Sequence, residues 1–246
     1  MSRTDTIYFF GTCLVDLLYP GAGLAGMQLI RRAGIRVIFP DGQTCCGQPA
    51  FNSGYRGEAR AAAKRFIEIF EDAEAIVCPS GSCVDMVRNH YVDLFENDSR
   101  WLARAEHVAA KTFEFSEFLV DVLKVEDVGA SFAERVTYHD SCHLMRGIGV
   151  SRQPRVLISN VKDIAFVEMH DADRCCGFGG TFSFKYPDIS TVMLEEKVRN
   201  IEASGAGVVV GCDMGCLMNI QGMLKRKNIN INTMHIAELL DHDTHA

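Results

Sequence analysis

Short apolar runs separated by stretches of helical periodicity recur along the whole chain. Thr6–Phe10, Val37–Phe39 and Ala75–Cys78 have the length and the β-branched or aromatic character of strands buried on both faces. Val136–His139, Ile164–Glu168 and Gly207–Val210 repeat the series in the second half. Between the runs, Ala59, Ala62, Ala63, Phe66 and Phe70 keep the three-and-four spacing of a helix with one apolar stripe, and so do Leu194, Val198 and Ile201. Strands that alternate with helices pair in parallel, with the helices laid on the sheet faces. The pattern therefore predicts an α/β protein of two pseudo-symmetric, Rossmann-like βαβ halves with mainly parallel sheets.

The cysteines show that the halves are copies. Cys13, the pair Cys45-Cys46 followed by Gly47, and Cys83 answer Cys142, the pair Cys175-Cys176 followed by Gly177, and Cys216. Between the single cysteine and the pair lie 31 residues in one half and 32 in the other; between the pair and the last cysteine lie 36 and 39. Differences so small fit loop variation. Further on, Thr112-Phe-Glu-Phe-Ser-Glu-Phe-Leu resembles Thr233-Met-His-Ile-Ala-Glu-Leu-Leu, which sets Glu117 opposite Glu238. The duplication places a seam near residues 125–133 and predicts units over 1–128 and 129–246. Each cysteine group follows a predicted strand directly, at the strand end where open α/β sheets bind their ligands.

Composition narrows the chemistry. Hydrophobic residues make up 48% of the 246 positions and charged residues 23%, enough to build a substantial core. The net charge of −7 carries no basic arm or stripe, so nucleic acid is not an expected partner. The first residues lack the pattern of a secretory signal, and the longest uncharged stretch, Leu17–Ile30, is broken by Pro20 and glycines and is too short to span a bilayer. The expectation is a cytoplasmic protein with no transmembrane segment, peripheral to the inner membrane only through partners. Ten cysteines in such a compartment point to metal ligation or redox chemistry ahead of structural disulfides.

Cys13, Cys45, Cys46 and Cys83, and again Cys142, Cys175, Cys176 and Cys216, supply the four thiolates that an iron–sulfur cluster ordinarily takes. Gly47 and Gly177 let backbone amides approach the sulfurs and are read as cofactor-binding positions. Cys78 and Cys212 each end a predicted strand and stand as reserve ligands or as small core residues. Zinc competes for four-thiolate sites, although ligands from three loops and a vicinal pair suit one tetrahedral ion poorly. A thiol–disulfide enzyme using a vicinal pair is a third reading.

The single cysteine, the Cys-Cys-Gly and the later cysteine loop, present twice, resemble the cysteine-rich CCG domain. So do Cys78-Pro-Ser-Gly-Ser-Cys83, Tyr138-His-Asp-Ser-Cys142-His, Arg174-Cys-Cys-Gly-Phe-Gly-Gly180 and Cys212-Asp-Met-Gly-Cys216-Leu-Met-Asn219. That domain occurs in the cysteine-rich subunit of heterodisulfide reductase and in the iron–sulfur subunits of glycolate oxidase and anaerobic glycerol-3-phosphate dehydrogenase; the lactate-utilisation branch is the nearest. The resemblance implies a subunit carrying one or two iron–sulfur clusters of the four-iron kind, which joins a ferredoxin-like iron–sulfur subunit and a third subunit to oxidise a small 2-hydroxy acid such as L-lactate. The fuller family motif ends in C-x-x-C, whereas Ser80 and Asp213 occupy the positions that would complete it here, so the resemblance leaves the unusual non-cubane cluster and heterodisulfide cleavage open.

Three further features bear on chemistry. His139, Asp140 and His143 flank Cys142, with no histidines at the matching Gly11-Thr12-Cys13-Leu14. They are candidates to relay a proton or bind a substrate carboxylate, weighed against a hydrogen-bonded loop in which Asp140 caps a turn. Gly21-Ala-Gly-Leu-Ala-Gly26 matches a dinucleotide-binding string but lies far from the preceding strand, and a glycine turn before a helix explains it better. Phe178, Phe182, Phe184 and Tyr186 are expected to form a lid over the second site.

Overall fold

A computed structural model describes residues 5–242. It has two four-stranded parallel sheets. The first contains β1 (Thr6–Phe9), β2 (Arg36–Ile38), β3 (Ile76–Cys78) and β4 (Thr112–Glu114) in the order β2-β1-β3-β4. The second contains β5 (Arg135–His139), β6 (Ala165–Phe166), β7 (Val208–Gly211) and β8 (Asn232–His235) in the order β6-β5-β7-β8. The two orders are the same. The outer strands β4 and β8 go beyond the strands that periodicity predicts, because runs as short as Thr-Phe-Glu and Asn-Thr-Met-His mix polar and apolar positions and give no period to read.

Each sheet reverses its winding between its first and third strands, so the loops after those strands leave a crevice at their C-terminal ends. Every residue of β3 and of β7 is buried, as expected of central parallel strands covered on both faces. Alternation then sorts the side chains. Ile7, Phe9 and Val77 face a core shared with Val136, Tyr138, Val208 and Val210 of the other half, while Phe10, Ile76 and Cys78 face an outer layer built on the helix Arg56–Phe70. A third cluster holds Val209, Val198 and Ile201 of the second half. The shared core makes the halves one packed body.

The duplication extends to the packing. The helix Pro20–Arg32 lies against the terminal helix Ile236–Leu240 of the other half, and the helix Arg152–Ser159 lies against Phe115–Glu117 and the turn that continues it. Glu117 and Glu238 have matching duties: each closes a capping box at the start of a short helix, with Glu114 and His235 as the reciprocal caps. Gly21, Gly23 and Gly26 lie inside the helix Pro20–Arg32, so they form neither a phosphate loop nor the turn expected before it. Close packing accounts for Gly23 and Gly26, where a Cβ would meet Val15 at 2.9 Å and Phe9 at 3.3 Å.

Candidate metal centre

In the first half Cys13 opens the helix Cys13–Leu18 directly after β1, Cys45 and Cys46 occupy the loop after β2, and Cys83 lies in the first turn of the helix Gly81–Asp85 after β3. Three segments thus deliver four thiols to one place. Cys13 meets Cys45, the vicinal pair follows, and Cys46 Sγ lies 3.3 Å from Cys83 Sγ. The second half repeats the chain of contacts from Cys142 to Cys175, and from Cys176 to Cys216.

The glycine after each pair is built for its place. Gly47 and Gly177 take φ of 89° and 80°, and each donates its backbone N–H to the first sulfur of its pair at 3.4 Å. A Cβ would fit tightly at Gly47, 3.2 Å from the Ala59 carbonyl, and would clash at Gly177, 2.6 Å from the Ser190 carbonyl. The residues standing where the fuller motif has cysteines have capping duties. Ser80 accepts from the Cys83 N–H, and Asp213 accepts from the Gly215 N–H, each at the start of the helix that carries the last cysteine. Asp213 also ties the halves together, accepting from the Ser82 N–H at 2.9 Å and the Ser80 hydroxyl at 3.3 Å.

Neighbouring thiols polarise one another. Hydrogen bonds from Cys13 and Cys46 hold the Cys45 thiol down to about 3, and those from Cys46 and Cys78 hold Cys83 at about 5; Cys13 and Cys46 are raised in return. Cys142 and Cys176 depress Cys175 to about 2. In each vicinal pair the first sulfur is therefore the easier of the two to deprotonate, as a metal ligand must be.

All eight cysteines line a single cavity of about 280 Å³ between the halves. Its wall includes Gln48, Ser141, His143, Thr181 and Asp213, but among the described residues no lysine or arginine. Thr181 of this wall shares a 2.7 Å hydrogen bond with the Ser53 hydroxyl of the first half. Of the aromatic residues expected as a lid, Phe178 and Phe184 line the cavity, whereas Phe182 and Tyr186 pack on each other with ring centroids 5.5 Å apart.

Cys78 and Cys212 part company. β3 and β7 align through Val77 and Val210, which puts Cys78 level with Gly211 and Cys212 one residue further on. Adjacent residues of a strand point to opposite faces. Cys78 accordingly contacts Cys83, while Cys212 turns into the shared core, its sulfur 3.5 Å from the Tyr138 hydroxyl.

His139, Asp140 and His143 also separate. Asp140 is buried and accepts from the Ser151 hydroxyl and the Arg155 guanidinium, both at 2.9 Å; Arg155 in turn grips Glu168 with two bonds. Asp140 thus ties the helix Arg152–Ser159 to the end of β5 and does not line the cavity. His143 does line it, with Nδ1 3.6 Å from Cys142 Sγ and Nε2 3.9 Å from the Asp85 carboxylate of the first half. His139 is 1% exposed, its ring nitrogens make no hydrogen bond of good geometry among the described residues although the Ala172 main chain lies beside the ring, and burial and then Lys197 push its pKa down to about 3. A ring nitrogen of His139 and the sulfurs of Cys176 and Cys216 all lie within 4.8 Å of one another.

Sequence reasoning missed Lys197. Its side chain is fully buried behind the second site, the ammonium donating to the carbonyls of Asp171 at 2.7 Å and Ala172 at 3.0 Å, and burial lowers its pKa to about 8. One lysine in a charged helix gives no signal of its own.

The thiols and glycine amides of each half, with a buried imidazole beside the second set, are suited to a thiophilic metal or an iron–sulfur cluster. The family model of the cysteine-rich CCG domain matches the chain twice, over residues 7–88 and 136–221. Lactate utilization protein A of Bacillus subtilis (strain 168) is 50% identical over 235 residues, covering 96% of this chain and 98% of that protein. Lactate utilization protein A of Geobacillus sp. (strain WCH70) is 49% identical over 235 residues, with the same two coverages of 96% and 98%. Among solved structures, a hypothetical protein from Helicobacter pylori matches with a TM-score of 0.65 at 10% identity, over 96% of this chain and 48% of that one. The chain spans about half of that protein, and the likeness is one of fold.

Proposed function

Because this chain belongs to the cysteine-rich CCG family, we propose that it is an iron–sulfur electron-transfer subunit of a complex that oxidises L-lactate, or a similar small 2-hydroxy acid, to the keto acid. Its partners in this reading are a ferredoxin-like iron–sulfur subunit and a third subunit of the same complex. The observation that carries the reading is the meeting of four thiols from three loops, twice, on one cavity. Cys13, Cys45, Cys46 and Cys83 would hold one group, and Cys142, Cys175, Cys176 and Cys216 the other. A cluster bound there takes up and releases single electrons. Gly47 and Gly177 direct amide dipoles at the thiolates and offset their mutual repulsion, and the apolar walls keep water away.

The cavity lining favours electron transfer over direct capture of the acid. A buried carboxylate substrate calls for an arginine or lysine partner, and the described wall offers His143 as its one imidazole and no arginine or lysine. Oxidation of the hydroxy acid is accordingly assigned to the complex, with this subunit passing the electrons.

Anaerobic purification followed by iron and sulfide analysis and an absorption spectrum tests the reading. Broad absorption near roughly 400 nm that dithionite bleaches is expected, and with the partner subunits present L-lactate should bleach it too. Colourless protein holding stoichiometric zinc would overturn the redox role and leave a zinc-stabilised scaffold.

A further inference from the structure

The halves repeat each other in topology, cysteines and glycines, so a position that breaks the repeat beside the cysteines stands out. Three residues before the first cysteine of each half stands Phe10 in one and His139 in the other. The helices after the pairs align through the residues facing the paired glycines, Ala59 and Ser190, and seven residues on they carry Phe66 and Lys197. In the first half the two phenylalanines pack edge to face, with centroids 5.0 Å apart, as inert filling behind the thiols. In the second half the same two places hold a buried imidazole and a buried ammonium.

A buried imidazole with no hydrogen bond of good geometry calls for a partner. Lys197 is not that partner, since its ammonium is held by the carbonyls of Asp171 and Ala172. What lies within reach is the pair of sulfurs on Cys176 and Cys216, inside the 4.8 Å that encloses all three donor atoms. Metal–nitrogen and metal–sulfur bonds of roughly 2.0 and 2.3 Å would put all three donors on one metal group after a small closing movement.

We propose that His139 is a nitrogen ligand of the metal group in the second half, making that site a mixed cysteine–histidine centre while the first is held by sulfur alone. The proposal rests on the reading that both halves bind iron–sulfur groups. His139 supplies a ligand that the fuller C-x-x-C motif would have drawn from position 213, which here is the capping carboxylate of Asp213. A neutral imidazole in place of a thiolate, with Lys197 behind it, leaves the second site less negative than the first. Less negative charge raises a reduction potential, so electrons shared between the sites settle on the second.

The test reconstitutes the Cys46→Ser chain with iron and sulfide under nitrogen, leaving the second site loaded, and reads nitrogen coupling in the pulsed EPR spectrum of the reduced protein. A strong ¹⁴N coupling that changes to the ¹⁵N pattern in protein grown on ¹⁵N-histidine is expected, and this needs no change at position 139. The coupling should vanish in His139→Phe, which copies Phe10, and persist in His143→Gln. In the chain with intact cysteines the potential of the second site should lie above that of the first, and His139→Phe should lower it. A loaded second site without histidine coupling, or with coupling lost only in His143→Gln, overturns the proposal while leaving the iron–sulfur reading intact. Failure of both halves to take up iron and sulfide removes the reading and the ligand with it.

Discussion

Replacing Gly47 and Gly177 separately by alanine tests the account of the paired-cysteine turns, because the same substitution meets different surroundings in the two copies. Each position has a positive φ, 89° and 80°, which costs any L residue about 1–2 kcal/mol. At Gly47 the added methyl would meet the Ala59 carbonyl and Ala62 at 3.2 Å, so neighbours yield by a few tenths of an ångström. At Gly177 it would meet the Ser190 carbonyl at 2.6 Å, and Ser190 is itself fixed by a 2.8 Å hydrogen bond from its hydroxyl to the Gly177 carbonyl. Relieving that clash means moving main chain, which adds roughly 1–3 kcal/mol. Gly177→Ala should therefore be less stable than Gly47→Ala by about 2 kcal/mol, or roughly 4–8 °C in Tm for a chain of this size. Urea and thermal melts of the metal-free proteins under reductant measure the difference. The moved turn also withdraws an amide from Cys175, so the second site should lose its metal selectively. Equal stabilities for the two variants, or a larger loss at Gly47, would refute the reasoning.

Glu114 gives a pH signature. Burial raises its carboxyl to about 7, so the folded chain binds more protons than the unfolded one between about 4.5 and about 7, and stability falls as pH rises through that window. The loss approaches ~3 kcal/mol at most, and Glu114→Gln should remove it; urea midpoints for the two proteins that run parallel from pH 5 to pH 8 would contradict this. Asp213→Ala removes a helix cap and strands the Ser82 N–H between the halves, for an expected loss of about 2–3 kcal/mol in urea unfolding. A loss under half that size would mean the cross-half bond contributes little. Cys212→Ala should keep the full iron complement, since its sulfur faces Tyr138, while Cys83→Ser and Cys216→Ser should each lose the iron of one half by colorimetric assay.

Local order supplied most of what could be read from the chain. Strand and helix periods, the doubled cysteine spacing and the glycine after each pair are properties of neighbouring residues, and they led to two α/β halves with thiols at the strand ends. Capping explains Ser80 and Asp213 equally locally, yet the residues read first as gaps in a ligand motif, because a serine or aspartate before a helix gives the same letters in either role. Cys78 and Cys212 looked alike for a related reason. Both end a predicted strand, and although Cys78 stands five residues before Cys83 and Cys212 four before Cys216, the registers of β3 on β1 and of β7 on β5 were needed to show that they point to opposite faces.

From the sequence alone came the duplication, the fold class and the eight sulfurs, since each depends on spacing along the backbone. Tertiary structure alone decided that both sets of sulfurs open on one cavity, that Asp140 belongs to Arg155, and that His139 and Lys197 stand behind the second set where Phe10 and Phe66 stand behind the first. The physical reason is that the two sheets are joined through a shared apolar core whose contacts link residues more than a hundred positions apart. Spacing fixes which side of its own sheet a residue faces; what it meets there depends on how the other half docks.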